Sequence, residues 1–227
     1  MSPSKLPKFI TLAFLATAAT AAIAGDARAQ SCGMGEVDWY SIERQNVATA
    51  DDLLQRGEPE KAAWLLQRTW PRLHEAVPVK SSLPHIAEGV RLMALASVRS
   101  EGRVRSANGW SSWSPLERSL NVTWGVQRLR MLTKADPSNT VAKTDLGEAL
   151  SRAPATRDEA RVILEALDAS HAVATPEGYA ALAMLRSSAS DASGAMAASA
   201  ACQHAAQHPD VQCAAAVTSA PTLTAAR

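Results

Sequence analysis

From Val37 onward the apolar positions recur at intervals of three and four, and no stretch sustains a period of two. That pattern predicts an all-α protein with no sheet. Tyr40, Val47, Ala50 and Leu54 make the first apolar face, which Gly57-Glu58-Pro59-Glu60 interrupts. Ala62, Leu66, Trp70 and Leu73 make the second, with Pro59 in its first turn, where a missing N–H costs nothing. Val77 to Ser82 reads as a connector, and a third helix opens at Ser82-Leu83-Pro84 and carries Ile86, Val90, Met93, Ala94 and Leu95 toward Ser100. Residues 101–114, rich in Gly and Ser, break the rhythm and read as an insert loop. Ser114-Pro115-Leu116-Glu117 spells a capped start for a fourth helix, which runs toward Lys134 with Leu116, Leu120, Val122, Trp124, Val126, Leu129 and Leu132 available for packing. Asn139 opens the fifth helix, and Thr156-Arg157-Asp158-Glu159 reads as a capping box for the sixth. Thr175-Pro176-Glu177 opens the seventh, and Asp191 caps an Ala-rich eighth that stops before Pro209.

These helices are short and amphipathic, so none can bury its apolar face alone. The stretch from Ala135 to Leu167 reads as two of them joined by a turn, with Leu146, Gly147 and Leu150 on one face and Ala160, Leu164 and Leu167 on the other. Leu146-Gly147 recurs as Leu182-Ala183, 36 positions on, and Ala160 recurs as Ala195, 35 positions on. Ser199 stands where the repeat calls for a counterpart of Leu164. A helix pair repeated in the mid-thirties predicts a solenoid in which each pair covers the next.

The chain resembles the tetratricopeptide-repeat family at these positions. Asp136-Pro137-Ser138-Asn139, Leu146-Gly147, Ala160 and Leu164 match its pattern, and Gly57, Ala62, Leu66, Gly125, Leu129, Leu132 and Pro137 match parts of earlier repeats. The resemblance covers residues 37–208 and is closest over 120–168. It implies an α-α superhelix of about four helix pairs that holds another polypeptide, with no catalysis and no cofactor. It also implies that exposed positions of each first helix line an inner groove: Thr144, Glu148, Ser151 and Arg152, then Met184 and Ser188 in the next repeat. Thr144 and Glu148 stand where a carboxylate-clamping groove of this family would need Lys and Asn, so that mode of recognition is not expected.

Composition changes the picture at the N-terminus. Lys5 and Lys8 precede an uncharged run from Phe9 to Ala24, and Ala27-Arg28-Ala29 offers a cleavage site, which is the layout of a secretory signal peptide over 1–29. Residues 30–36 read as a flexible lead-in, 37–208 as the repeat domain, and 209–227 as an Ala-rich tail. Export implies a periplasmic or secreted protein with no integral membrane segment after cleavage. Of 23 basic and 22 acidic residues, the leader removes Lys5, Lys8, Arg28 and Asp26, leaving 20 and 21 and a net charge of −1. Nothing in that balance calls for nucleic acid as a partner. Both Phe residues lie in the leader, so the mature core packs with Leu, Val, Ala and six Trp.

Candidate chemistry is sparse. Trp110 and Trp113, with Arg103 and Arg105 nearby, could anchor a protein, glycan or small ligand, or could fold back to cap the core. His204 and His208 lie four apart, but no third ligand is evident and no metal site is expected. Of the three cysteines, Cys202 and Cys213 flank Pro209, where the chain should reverse and let them pair, which leaves Cys32 as the odd thiol. No nucleophile elbow, phosphate loop or patterned Cys/His cluster occurs. The expected role is therefore that of an exported scaffold for an unidentified protein or peptide, not an enzyme.

The first prediction follows from the leader. N-terminal sequencing of the exported protein should begin at Gln30. Full-length chain recovered only with detergent would mean that residues 1–29 remain as an anchor.

Overall fold

Eight α-helices follow one another among the described residues, and no strand occurs there. The structure is a computed structural model that describes residues 39–76, 83–104, 114–208, 211 and 213. The helices are α1 (Trp39–Gln55), α2 (Pro59–Thr69), α3 (Pro84–Arg99), α4 (Pro115–Ala135), α5 (Thr140–Ser151), α6 (Arg157–Ala169), α7 (Pro176–Ser188) and α8 (Ala192–Ala205). They pack as four pairs, α1 with α2, α3 with α4, α5 with α6, and α7 with α8. The first helices of successive pairs also touch one another in the series α1, α3, α5, α7. Each second helix packs on the first helix of the next pair. This is a helical-repeat arrangement.

Local chemistry sets most of the boundaries. Ser114 Oγ accepts from the Glu117 N–H at 3.1 Å, Asn139 Oδ1 from Ala142 at 2.9 Å, Thr175 Oγ1 from Gly178 at 3.1 Å and Asp191 Oδ1 from Gly194 at 2.9 Å. Each cap satisfies a first-turn N–H and is worth about 1 kcal/mol. Proline opens α2, α3, α4 and α7. Thr156 departs from its expected role as a cap. Pro154–Thr156 forms a 3-10 turn, and the Thr156 hydroxyl donates backward to the Leu150 carbonyl at 2.6 Å instead of accepting from α6. The end of α5 has claimed it.

Two further expectations change. Helix α2 stops at Thr69 rather than continuing through Leu73, because Trp70 precedes Pro71 and takes an extended conformation. Leu73 is still buried, in a 3-10 turn over Leu73–Glu75. Leu116 and Leu120 do not pack, and they remain 71% and 59% exposed on the first turns of α4.

The core follows a small-then-large rule in the second helices. Ala62 and Leu66, Gly125 and Leu129, and Ala160 and Leu164 are all buried. The small residue lets the paired helix approach, and the Leu four positions on fills the space between axes. A Cβ on Gly147 would sit 2.6 Å from Leu164 Cγ, and one on Gly125 would sit 2.7 Å from the Ala94 carbonyl oxygen. Helix α3 lies at the centre: every residue from Gly89 to Val98 is buried, and the helix touches α1, α2, α4 and α5.

These crossings predict that Gly147→Leu and Gly125→Ala each destabilise by about 1–3 kcal/mol. Urea unfolding followed by far-UV circular dichroism measures this. Wild-type midpoints in both variants would show that the helix register is misassigned.

Candidate functional site

Two arginines on α3, eight positions apart, organise the inner helices. Arg91 Nη1 binds Asp145 Oδ2 on α5, its Nη2 and Nε bind Glu88 at 2.6 and 2.9 Å, and Nη2 reaches Asp51 on α1 at 3.4 Å. Arg99 makes a two-pronged contact with Glu148 on α5, Nε to Oε1 at 3.0 Å and Nη2 to Oε2 at 2.8 Å. Its Nη1 donates to Glu177 on α7 at 2.9 Å and to the Leu54 carbonyl at the end of α1 at 3.1 Å. Arg152 adds a second cation on Glu148 at 3.1 Å. One charged lattice thus ties α1, α3, α5 and α7 together.

Burial opposes every charge in this lattice, and the partners decide the outcome. For Arg91 the carboxylates of Asp145 and Glu88 outweigh burial, and for Arg99 those of Glu148 and Glu177 do, so both guanidiniums are held charged more firmly than usual. Burial would push Glu148 up, but Arg99 and then Arg152 outweigh it and hold the carboxyl below its ordinary range. Asp145 goes the other way. Burial dominates the pull of Arg91, and the carboxyl is raised to about 6. Its Oδ1 is buried without a hydrogen-bond partner. Glu177 is raised as well, by burial against the pull of Arg99.

The Arg99 end of the lattice floors an open groove of about 1130 Å³. Leu54 of α1, Val98 of α3, Val122 and Val126 of α4, and Ala181 and Met184 of α7 supply apolar wall. Arg103, Arg118, Arg130, Arg152 and Arg157 supply guanidiniums along it. Several of these are already engaged: Arg103 meets Glu60 at 3.1 Å and Arg130 meets Glu159 at 2.6 Å. The groove therefore combines aliphatic surface with forked donors held in place by acids.

The residues expected to line the groove divide. Glu148, Ser151, Arg152 and Met184 do line it. Thr144, Glu148 and Ser151 are not the exposed positions anticipated, with 0%, 2% and 2% exposure. The face they occupy is where first helices pack on one another. Thr144 Oγ1 accepts from the Ala174 N–H at 3.1 Å, and its methyl lies where a Cβ on Gly178 would fall. Glu148 is consumed by Arg99, and Ser151 Oγ donates to the Glu148 carbonyl at 2.7 Å. Ser188 Oγ donates to its own helix at Leu185. Trp110, Trp113 and Cys32 lie outside the described residues. Arg99 and Glu177 are the important side chains that the repeat register missed. The signal for Arg99 was present, because it and Arg91 bracket the apolar run L-M-A-L-A-S-V, where no solvated face is available.

The C-terminal segment completes the site. Helix α8 ends at Ala205, ahead of His208, so His204 and His208 do not share a helical face. Cys202 and Cys213 are joined by a disulfide with a Cα–Cα separation of 5.6 Å. Ser199 Oγ donates to the Cys213 carbonyl at 2.8 Å. His208 Nε2 meets Asp52 Oδ1 of α1 at 3.3 Å, and Val211 and Cys213 line the groove. Among the described residues no cluster of His, Cys, Asp and Glu could hold a metal, and no helix is long and apolar enough to cross a membrane. No protein-family model matches the chain, and no curated protein or solved structure does.

Asp145 generates a pH prediction. A carboxyl raised in the folded state contributes stability that is complete below the ordinary aspartate range and is lost as pH rises through about 6. Asp145→Asn removes that dependence. The unfolding free energy of wild type minus that of the variant should be highest near pH 4 and fall by on the order of 2 kcal/mol by pH 7. A difference that stays flat between those values would mean that Asp145 titrates normally.

Proposed function

We propose that this chain is an exported scaffold of the cell envelope that binds a protein or peptide partner in its groove. The observation that carries the reading is the groove itself, a cleft with aliphatic walls and arginines along it, reaching residues of α1, α3, α4, α5 and α7. Repeat arrays of helix pairs use such surfaces for extended ligands, since many first helices present side chains in series. The tetratricopeptide-like spacing of Leu146-Gly147, Ala160 and Leu164 agrees with that use. Export is supported by the leader-like sequence over 1–29 and by a disulfide, which persists in an oxidising compartment. The arrangement of side chains gives no reason to assign a reaction: the strongly perturbed carboxyl, Asp145, is locked under α3 and does not line the groove.

Affinity capture from the native envelope fraction, run with the protein oxidised and again reduced, tests this. A single stoichiometric partner is expected, and Met184→Glu, which places a charge on the aliphatic wall, should weaken it at least tenfold with the circular dichroism spectrum unchanged. A partner that binds Met184→Glu as well as wild type, or no partner under either condition, would overturn the reading.

A further inference from the structure

Helix α4 is apolar on two sides. One side carries Gly125 and Leu129, both buried, and a Cβ on Gly125 would meet Ala94 and Val98 of α3. The other carries Leu116, Leu120, Thr123 and Gln127 at intervals of four, three and four, which puts them on one line along the helix. Thr123 and Gln127 line the groove, as do Val122 and Val126 beside them. Leu116 and Leu120 continue that line toward the start of α4, 71% and 59% exposed. The aliphatic wall of the groove therefore runs out onto a lip of two uncovered leucines. From Leu116 to Arg130 the wall is about 21 Å long at the rise of an α-helix. About six or seven residues of extended chain span that length.

Charge along the groove is as uneven as its apolar surface. Six arginines and four glutamates line it among the described residues, with no lysine and no aspartate, in a chain whose 23 basic and 22 acidic residues nearly balance. Glu148 and Glu177 are both spent on the deeply set Arg99. Five arginines remain along the opening, against Glu60 and Glu101. Arg103 and Arg130 do meet Glu60 and Glu159, but these side chains stay about half exposed. Ion pairs open to water contribute little, so an incoming carboxylate can share or replace them at small cost. The Arg130–Glu159 pair also brings the first turn of α6 up to the α4 wall, two residues from Arg157. Among the described residues no acid pairs with Arg157, whose Nε donates to the Ser151 carbonyl at 3.4 Å. A guanidinium receives a carboxylate through two parallel N–H donors, a fork that lysine lacks. No aromatic side chain lines the groove among the described residues, so nothing there would stack a nucleic-acid base.

We propose that the groove's partner is an acidic, amphipathic segment of polypeptide lying along α4. Its carboxylates meet Arg130, Arg152 and Arg157, and its aliphatic side chains cover Val122, Val126 and the lip at Leu116 and Leu120. The inference rests on reading the groove as the binding site. A basic segment could cover the leucines, but it would set like charges against the arginines. A purely acidic one would satisfy the arginines and leave the leucines in water.

Fluorescence anisotropy on the full-length protein tests this, with a labelled twelve-residue peptide of alternating Glu and Leu as the probe. Peptides of alternating Lys and Leu, and of alternating Glu and Ser, should each bind at least tenfold more weakly. Arg157→Glu and Leu120→Glu, both at exposed positions, should each weaken the Glu-Leu peptide at least fivefold with the circular dichroism spectrum unchanged. Added sodium chloride should weaken it as well. No binding of the Glu-Leu peptide, equal binding of the Lys-Leu peptide, or wild-type affinity in both variants would overturn the proposal. Equally tight binding of oligo-dT would also overturn it, by showing a groove for polyanions at large. So would a dimer in sedimentation that Leu120→Glu abolishes, which would make a second copy the occupant. A captured envelope partner that Met184→Glu weakens, but that neither Arg157→Glu nor the Glu-Leu peptide affects, would refute the acidic occupant and leave the groove reading standing. Binding of both partner and peptide to Met184→Glu at wild-type strength would refute the groove reading itself.

Discussion

Two buried guanidiniums set the geometry of this protein. Arg91 and Arg99 sit within a helix that is enclosed on every side, and an uncompensated charge there would be untenable. Each must find carboxylates, and the carboxylates come from different helices: Asp51 on α1, Asp145 and Glu148 on α5, and Glu177 on α7. Apolar packing is tolerant of small slides between helices, whereas a forked donor facing a carboxylate is not. The inner helices are therefore held in a single register relative to α3. That register is what aligns Leu54, Val98, Ala181 and Met184 along one groove. Such a lattice is weak as a source of net stability, because desolvation offsets most of the attraction. Its value lies in selecting one arrangement among several that greasy surfaces alone would accept.

Much of the fold was legible because it is written in local chemistry. Caps at Ser114, Asn139, Thr175 and Asp191 depend on side chains a few residues from the N–H they serve, and the small-then-large rule in the second helices depends on a four-residue interval. Where the reading failed, the deciding partner lay elsewhere. Thr156 looks like a cap until the 3-10 turn at Pro154 brings the end of α5 within reach. Glu148 looks like a solvated groove residue until Arg99, 49 residues away, covers it. Leu116 and Leu120 have the periodicity of a packed face, but the first turns of α4 meet too little of the core to bury them.

The groove was only half visible for the same reason. Glu148, Ser151, Arg152 and Met184, singled out by the repeat register, lie on inner helices and lie along the groove, Glu148 and Ser151 as buried residues and not as the exposed ones anticipated. That register could not anticipate that the second helix α4 contributes Val122 and Val126, or that the chain after α8 contributes Val211 and Cys213. Ser199 had marked the place where the last pair departs from its predecessors. A missing Leu reads as decay until the hydroxyl is seen to hold the Cys213 carbonyl.

The reach of Arg99 across three neighbours also bears on how the array comes apart. In an ordinary solenoid each unit answers only to the next, so units can melt or be deleted from an end one at a time. Removing α7 and α8 here would take away Glu177 and leave Arg99 short of an acceptor in the middle of the stack. Removing α1 and α2 would strip Asp51 and the Leu54 carbonyl from the same helix. The ends are wired to the centre, so the protein should behave as one cooperative block, unable to shed a repeat without unsettling the rest.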